Sequence, residues 1–512
     1  MIYIFFLTTI FFTGACTPTE AHSEVKVSSL FTDNMVIQRN KNVPVWGTTS
    51  AGGKVTVSFA GQHITAMADN KGKWKIMLKA MTVNDKPQDM VIESKNKIVL
   101  KNILVGDVWL ASGQSNMVTK IRDRNNNTTP DSPLFRVFKV SPVTGKYGAE
   151  PLENVRGQWA SLGLKDNMSA VAYFFGTKLQ KELKVPLGII VACSGSSSDS
   201  CWVSKEIVTT EHFLPTWTAW GELINNWDTH KSEEKYAKRR VDHPSHSRLF
   251  PTGSYNAKLY GLFPFAMTGI IWYQGEANRH YAWQYKKTFP LMISHWREKF
   301  QQGDLPFIQV QLPDLGKSND DPNKHLVPEL RDVQDWVTKE MKNVYRAVYI
   351  DANVNGGLHP SNKQIPGARL MSIALAKVYN KQVPFSGPVY KNMTIEGDKV
   401  IVHFDYAKGL QTAVRKEATS LTVTAVKKKV NNFYVAGKDK IFVKANAVID
   451  KEMVVVSADG VKDPLYVRYA YSDGPKNCNL YNGDGFPAAP FRTDSFEYLS
   501  KDKYLKHILL LP

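Results

Sequence analysis

Cysteine is scarce in this chain, with four residues among 512. So low a count excludes a disulfide-dense scaffold, and no pair of cysteines has the spacing of a zinc site. Cys193 and Cys201 are close enough in sequence to close a small loop, a bond that the sequence leaves open. No apolar stretch after Ala15 approaches the roughly 20 residues that cross a bilayer, so the body of the chain is not predicted to be an integral membrane protein.

What the chain does contain is the composition of an ordinary folded protein. Hydrophobic residues make up 43% of it, aromatic residues 11% and charged residues 22%, which excludes a disordered or collagen-like chain. The formal net charge of +18 comes from scattered basic residues and one cluster at 235–240. No nucleic-acid-binding motif accompanies them. We therefore expect a basic solvated surface and no nucleic-acid partner, with attraction for acidic glycans as the alternative.

The first residues have the character of an export signal. Residues 1–15 are apolar or small and uncharged. The pair Gly14-Ala15 directly before Cys16 resembles a bacterial lipoprotein cleavage site, which predicts a lipid anchor on Cys16 as the membrane contact. Ordinary cleavage nearby, for example after Ala21, is the alternative. Residues 1–21 are thus interpreted as a signal peptide, and the mature protein is expected in the periplasm, anchored to the outer membrane, or secreted.

The pattern of the sequence changes twice after the signal, and its length favours two or three domains. Residues 22–104 read as short strands with alternating buried positions, which predicts an N-terminal β-sandwich domain. From 105 to 383, strand-like runs alternate with helix-like segments. This alternation predicts an α/β domain with a parallel sheet and helices on both faces, interrupted by an excursion at about 202–251. Residues 384–512 return to a β pattern and are predicted to form a C-terminal β domain.

Several elements of the α/β domain are predicted individually. Helices are expected at 170–183 and 285–301. Strands are expected at 185–194, 267–276, 305–313 and 347–353. Open α/β sheets place reactive groups at the carboxyl ends of their strands, so the residues that follow these strands are the candidates for chemistry.

Four polar loops follow the predicted strands. Ser115 lies on a tight strand-to-helix turn and is either an exposed nucleophile or an N-cap. Gly195 lets a backbone N–H approach a substrate oxygen, unless it belongs to a flexible loop. Gln274 places an amide at a strand end, and His359 lies on an extended loop before a proline. Together these residues supply a nucleophile, oxyanion donors and a base.

Three motifs make the pattern recognisable: GQSNM at Gly113, WYQGE at Trp272 and LHPSNK at Leu358. They resemble the SGNH-type esterases and, more closely, the bacterial sialate O-acetylesterase family, and the similarity runs through nearly the whole mature chain. The resemblance implies an SGNH/flavodoxin-like three-layer hydrolase core flanked by β-sandwich-like domains. It also implies a serine esterase that removes acetyl groups from sugar hydroxyls without metal or organic cofactor, with 9-O-acetylated sialic acids as the expected substrate.

The family roles carry over by position. Ser115 is the nucleophile and His359 the general base. The backbone N–H groups of Ser115 and Gly195 and the side-chain amide of Gln274 form the oxyanion hole, and Asn116 belongs to the same substrate-binding group.

One departure from the family pattern leaves the orienting acid open. SGNH esterases usually carry an Asp two or three residues before the catalytic His, where this chain has Gly356 and Gly357. The acid is then Asp351 or Glu276, or a backbone carbonyl replaces it in a Ser–His dyad. The loss of an orienting carboxylate costs about 10⁴ in rate in a triad that depends on it.

Two other functions remain compatible with the sequence. One is an acetyl esterase for neutral plant polysaccharide such as xylan, and the other is a catalytically weak glycan-binding surface lipoprotein. Four tryptophans of the excursion are candidates for a sugar-binding rim, with packing in a core as the alternative. These are Trp202, Trp217, Trp220 and Trp227.

Overall fold

The computed structural model describes most of the chain, in eight segments. These are residues 24–121, 132–141, 150–160, 168–233, 243–315, 321–353, 356–415 and 422–506. The signal peptide, Cys16 and the basic cluster at 235–240 lie outside them. Across these segments, no helix combines the length and the apolar character needed to cross a membrane.

Seven short strands and one long strand build the N-terminal region. They are β1 (Lys26–Val27), β2 (Val36–Gln38), β3 (Val43–Thr48), β4 (Lys54–Phe59), β5 (Gln62–Met67), β6 (Lys73–Leu78), β7 (Asn84–Glu93) and β8 (Lys97–Gly113). Strands β1, β3 and β6 form one antiparallel sheet, and β4 and β7 pair antiparallel in a second sheet that continues into β8. Buried and exposed residues alternate along β4 and β6, so each sheet buries one face.

Strand β8 continues out of the N-terminal region and forms the middle strand of the central sheet, whose strands are mostly parallel. The other strands of this sheet are β9 (Phe135–Lys139), β10 (Trp159–Ala160), β11 (Leu187–Cys193), β12 (Gly269–Tyr273), β13 (Phe307–Val310) and β14 (Val344–Ala347). The order is β10-β9-β11-β8-β12-β13-β14, and only the edge strand β10 runs antiparallel to its neighbour. Because β8 is continuous from Lys97 to Gly113, the predicted boundary at residue 104 falls inside one strand.

The helices in chain order are α1 (Ser115–Val118), α2 (Ala170–Leu183), α3 (Lys205–Val208), α4 (Leu214–Asn225), α5 (Trp227–His230), α6 (Ala282–Phe300), α7 (Val327–Glu340) and α8 (Gln364–Lys377). Helices α2, α6, α7 and α8 cover the two faces of this central sheet. Leu110 of β8 packs in one buried cluster with α6 and α7, whereas Trp109 and Ala111 pack in another with α2 and α8. Successive residues of a strand point to opposite faces, so the two clusters lie on opposite sides of the sheet. The predicted α/β class is confirmed.

The C-terminal region is built of short strands around a separate buried cluster that includes Val402, Val435 and Val467. The strands are β15 (Val389–Glu396), β16 (Lys399–Asp405), β17 (Gln411–Val414), β18 (Thr424–Ala425), β19 (Phe433–Ala436), β20 (Val443–Lys444), β21 (Asn446–Asp450), β22 (Met453–Ser457), β23 (Tyr466–Tyr469), β24 (Leu480–Tyr481) and β25 (Phe491–Arg492). The β pattern predicted for this region is therefore present.

Cys193, Cys201 and Cys478 are free thiols. The loop-closing bond that the sequence left open between Cys193 and Cys201 is not formed. Cys201 is instead buried, and its thiol donates to the carbonyl oxygen of Leu249 at 3.3 Å.

Candidate active site

Three strands of the central sheet end at the same level. In the pairing register, Cys193 of β11 and Tyr273 of β12 both lie beside Gly113 of β8. The loops that begin after these residues therefore emerge together at the carboxyl edge of the sheet, where α/β proteins place their ligands. This register brings Ser115, Gly195 and Gln274 into one neighbourhood.

The turn into Ser115 requires the glycine that precedes it. Gly113 has φ of +135°, and a Cβ there would lie 2.2 Å from the carbonyl oxygen of Tyr273, so any side chain would force the two strands apart. Ser115 then begins α1 with its side chain partly exposed. Its N–H makes no hydrogen bond with another described residue, as is usual in the first turn of a helix.

His359 comes to the same edge from far along the chain. It lies on an exposed loop after β14, and its Nε2 is 2.8 Å from Ser115 Oγ although 244 residues separate the two. This is hydrogen-bond distance for proton transfer between a hydroxyl and an imidazole. The two residues on which the predicted chemistry depends are thus neighbours.

Asn116 links the serine turn to the histidine loop. Its side chain is fully buried, and its Nδ2 donates to the carbonyl oxygen of Leu358, directly before His359, at 3.1 Å. The same Nδ2 donates to Glu276 Oε1, and Asn116 Oδ1 accepts from Lys363 Nζ. The predicted substrate-binding role of Asn116 is therefore replaced by a positioning role, because all its polar atoms bond to the protein.

Glu276 helps to hold Asn116 in place, because its carboxylate accepts the hydrogen bond from Asn116 Nδ2. It is 1% exposed, and burial raises the pKa of its carboxyl group, against the opposing effects of the Asn116 hydrogen bond and the Lys363 charge. Lys363, which sequence reasoning missed, is also buried and lies 5.5 Å from the centre of the Tyr273 ring. Among the described contacts, no hydrogen bond or ion pair joins Glu276 to His359.

Asp351, the other candidate for the orienting acid, is committed elsewhere. Its fully buried carboxylate accepts from Arg369 at 2.7 and 2.8 Å, from Arg415 at 2.7 Å and from Tyr481 at 3.0 Å. Burial alone would raise the pKa of this carboxyl, but the two guanidinium groups outweigh it and hold the pKa well below its usual range. Since no described contact joins Asp351 to His359, the orienting role considered for it is corrected to a structural one.

Gln274 is also engaged within the protein. Its buried amide donates to Asn278 Oδ1 at 2.7 Å and to the carbonyl oxygen of Ser197 at 3.2 Å. Asn278 in turn donates to Asp199 at 2.8 Å, and burial raises the pKa of that carboxyl. Both amide hydrogens of Gln274 are occupied, so the predicted oxyanion donor instead ties the loop after β12 to the loop after β11.

The backbone at Gly195 is open to the approach of another molecule. Its N–H makes no hydrogen bond with the described residues, and a Cβ built on it would meet nothing within 4 Å. Its carbonyl oxygen accepts from Arg248 at 3.3 Å. On the far side of the site, Arg279 donates to the carbonyl oxygen of Glu276 at 2.9 Å. Neither arginine forms an ion pair with another described residue, so two positive charges are available beside the site.

Of the two possibilities left open for the tryptophans of the excursion, a sugar-binding rim or packing in a core, the structure favours packing. Trp202, Trp220 and Trp227 are buried, at 0%, 1% and 6% exposure, and Trp217 is packed against the main core cluster. Among the residues that the structure describes, no group of three or more His, Cys, Asp or Glu side chains is placed to hold a metal ion.

The contacts of Asn116 lead to a first prediction. Asn116→Ala removes the link between α1 and Leu358, so we expect kcat to fall about 100-fold with little change in KM, as for a misplaced catalytic group. Steady-state kinetics of acetate release, at a temperature where circular dichroism shows the variant folded, measures both constants. Val118→Ala on the exposed side of the same short helix is the control and should keep wild-type kinetics. A rise in KM alone would contradict the positioning role.

The known proteins that this chain resembles are esterases, in agreement with the geometry of Ser115 and His359. Residues 253–362 match the family model described as carbohydrate esterase, sialic acid-specific acetylesterase. The human sialate O-acetylesterase is 27% identical, with 91% of this chain and 92% of the human protein aligned. The mouse sialate O-acetylesterase is 25% identical, with 91% and 94% aligned. A carbohydrate acetylesterase from Xanthomonas citri is 30% identical with a TM-score of 0.78, covering 92% of this chain and all of that structure.

Proposed function

Because the chain belongs to the sialate O-acetylesterase family and is a carboxylic ester hydrolase, we propose that Ser115 and His359 carry out its deacetylation of sugars as nucleophile and base. The observation that carries this proposal is the 2.8 Å distance between Ser115 Oγ and His359 Nε2. We propose also that the fold is an SGNH-type three-layer core with flanking β-sandwich domains.

The first half of the reaction transfers the acetyl group to the protein. Ser115 Oγ attacks the acetyl carbonyl carbon while His359 Nε2 takes the hydroxyl proton. The carbonyl oxygen becomes an oxyanion, and the N–H groups of Ser115 and Gly195 donate to it in this proposal, which their lack of a partner among the described residues supports. The C–O bond to the sugar then breaks, and the imidazolium returns its proton to the leaving sugar oxygen.

The second half releases acetate. A water molecule loses a proton to His359 Nε2 and attacks the carbonyl carbon of the acetyl-serine ester. The second oxyanion collapses, the bond to Ser115 Oγ breaks, and the proton on the imidazolium returns to the serine oxygen. Acetate leaves and Ser115 is restored, so no electron transfer and no co-reactant other than water are needed.

Gly195 provides a prediction for the oxyanion hole. Gly195→Ala adds a methyl group into open space at an unstrained backbone position, so we expect an unfolding free energy within about 0.5 kcal/mol of wild type. The methyl group occupies room that the substrate carbonyl needs, so kcat/KM should fall about tenfold. Gly221→Ala, in α4 and equally free of neighbours, is the matched control. Unchanged kcat/KM in Gly195→Ala would remove Gly195 from the oxyanion hole.

The charges at the site favour an acidic sugar. Arg248 and Arg279 bond to the carbonyl oxygens of Gly195 and Glu276 and form no ion pair with other described residues. A guanidinium group binds a carboxylate in a bidentate manner, and sialic acids carry a carboxylate where xylan has none. We therefore take 9-O-acetylated sialic acid as the substrate.

Acetate release from two polymers separates the substrates. We expect kcat/KM on 9-O-acetylated sialoglycan to exceed that on acetylated xylan by about tenfold or more, the worth of one charged hydrogen bond. A combined Arg248→Gln and Arg279→Gln variant should lose most of this preference while keeping its activity on p-nitrophenyl acetate. Preference for xylan, or an unchanged preference in the variant, would assign the esterase to neutral polysaccharide.

Export is part of the same proposal. Residues 1–15 have the apolar character of a signal, and Cys16 follows a small-residue pair. Lipidation at Cys16 predicts that the mature wild-type protein partitions with membranes and carries acyl chains by mass spectrometry, whereas Cys16→Ala does not. A mature N-terminus near residue 22 would instead indicate ordinary signal cleavage.

A further inference from the structure

A groove lies where the N-terminal region meets the core, far from Ser115. It is lined by Trp46 and Trp74 of the N-terminal sheet and by Phe263, just before β12, and Gln301, just after α6. These positions mark the amino-terminal edge of the central sheet, and Ser115 lies at the carboxyl edge. With seven residues of β8 paired to β11 between the two edges, the separation is about 20 Å.

The groove has the size and the walls of a binding site. Its volume of about 660 Å³ falls in the range of cavities that hold small ligands. Trp46, Tyr255, Tyr260 and Phe263 contribute aromatic surface to it. Flat aromatic rings present an apolar face, and those of Trp and Tyr add a polar tip. Such walls suit a pyranose ring, which has an apolar face of C–H groups and a rim of hydroxyls.

One buried polar group in the wall has no partner among the described residues. Trp74 is 2% exposed, and its Nε1–H makes no hydrogen bond with any described residue. Buried indole N–H groups are nearly always paired. An unpaired donor at the wall of a cavity indicates an acceptor that a ligand supplies.

The charges of the groove leave a positive excess. Of its acids, Glu153 pairs with Lys73 at 2.5 Å, and Asp69 accepts from the backbone N–H groups of Lys71 and Lys73 at 2.8 Å. Lys26 and Lys75 are exposed at the groove and form no ion pair with other described residues. Unpaired ammonium groups beside aromatic walls attract a carboxylate.

We propose that this groove is a second glycan site, which binds a carboxylated sugar of the acetylated glycan while Ser115 hydrolyses an ester elsewhere on the same polymer. The rings contact the sugar face, Trp74 Nε1–H bonds to one of its oxygens, and Lys26 and Lys75 pair with its carboxylate. A second attachment point raises the effective concentration of the polymer at the active site. The acidity of the ligand rests on the proposed function, but the groove binds without catalysis.

Calorimetric titration of the full chain tests the groove, with 3′-sialyllactose as the probe and lactose as the neutral comparison. We expect Trp74→Phe, Lys75→Gln and Tyr260→Ala each to weaken sialyllactose binding about tenfold, the worth of one charged or buried hydrogen bond or one contact ring. Lys101→Gln, an exposed lysine outside the groove, is the control. Binding at the active site is common to all these proteins, so differences between them report the groove.

A kinetic measurement separates the two proposals. Lys75→Gln should hydrolyse p-nitrophenyl acetate like wild type and show a raised KM on acetylated sialoglycoprotein. Equal affinity of all variants for sialyllactose, or tighter binding of lactose, would overturn the groove proposal. If the wild type releases no acetate from acetylated sialic acid, the proposed substrate fails, while the calorimetric comparison still decides the groove.

Discussion

Ser115→Ala is expected to lower kcat for acetate release about 10⁴-fold or more, because it removes the hydroxyl that we propose as the nucleophile. His359→Ala should have a similar effect, because a serine hydroxyl is a weak nucleophile until a base takes its proton. His359 Nε2, 2.8 Å from Ser115 Oγ, is the proposed base. Release of acetate from 9-O-acetylated sialic acid, or of p-nitrophenol from p-nitrophenyl acetate, measures both variants.

The double variant gives the sharper result. If the two residues act as one unit, Ser115→Ala combined with His359→Ala should be no slower than either single variant. Ser94→Ala, which removes a hydroxyl that donates to the carbonyl oxygen of Lys54 in the N-terminal region, should keep wild-type activity. Equal turnover in Ser115→Ala and wild type would exclude Ser115 as the nucleophile, and multiplicative losses would show that His359 acts separately.

Asp351→Asn is expected to destabilise the protein by about 3–5 kcal/mol, because it leaves two buried guanidinium groups without their shared counter-charge. The side chains of Arg369 and Arg415 are 7% and 6% exposed, and that of Asp351 is 0% exposed. Arg369 lies on α8 and Arg415 directly after β17, so the carboxylate joins the core to the C-terminal region. Urea unfolding of both proteins measures the difference.

Two comparisons separate this structural role from catalysis. Asp405→Asn breaks a pair with Lys391 whose side chains are 52% and 57% exposed, and it should cost less than about 1 kcal/mol. Under folding conditions, kcat of Asp351→Asn should stay within about tenfold of wild type. A loss near 10⁴ in the folded variant would instead make Asp351 the orienting acid.

The pH dependence of Asp351 has a defined sign. Its folded-state pKa is lowered, so the stabilisation that it provides is complete above the unfolded-state pKa near 4 and is lost as the pH falls through the folded value. Wild type and Asp351→Asn should therefore differ most at neutral pH, and the difference should shrink only in strong acid.

Local patterns predicted those elements whose signals lie within a few residues. The helix expected at 170–183 has these limits in the structure, because Ser169 accepts from the N–H of Ala172 at its start and Lys184 adopts a left-handed conformation at its end. The strand expected at 347–353 is wrong, since β14 spans Val344–Ala347. Val348 and Ile350 are buried, but in the cluster of the C-terminal region. An apolar run shows that residues are buried and does not show against which core.

For the candidate site too, the sequence predicted individual residues but not the partners that hold them. The motifs predicted Ser115 and His359 as partners, and the two side chains are 2.8 Å apart. The family to which the chain belongs is confirmed by the comparisons. The partners Glu276 of Asn116, Arg415 of Asp351 and Ser197 of Gln274 were not predictable, because each contact joins segments far apart in the sequence. Lys363 is the last residue of the LHPSNK motif that contains His359, and this place was the available signal.

The continuity of β8 has a consequence for how this enzyme can be modified. One continuous hydrogen-bonded strand runs from the antiparallel pairing with β7 to Gly113, two residues before Ser115, the proposed nucleophile. A cut between the N-terminal region and the α/β core would break β8, so the core cannot be moved into another protein without the N-terminal region. Chimeras of related esterases should be joined at the loop before β15 and inherit everything upstream from a single parent.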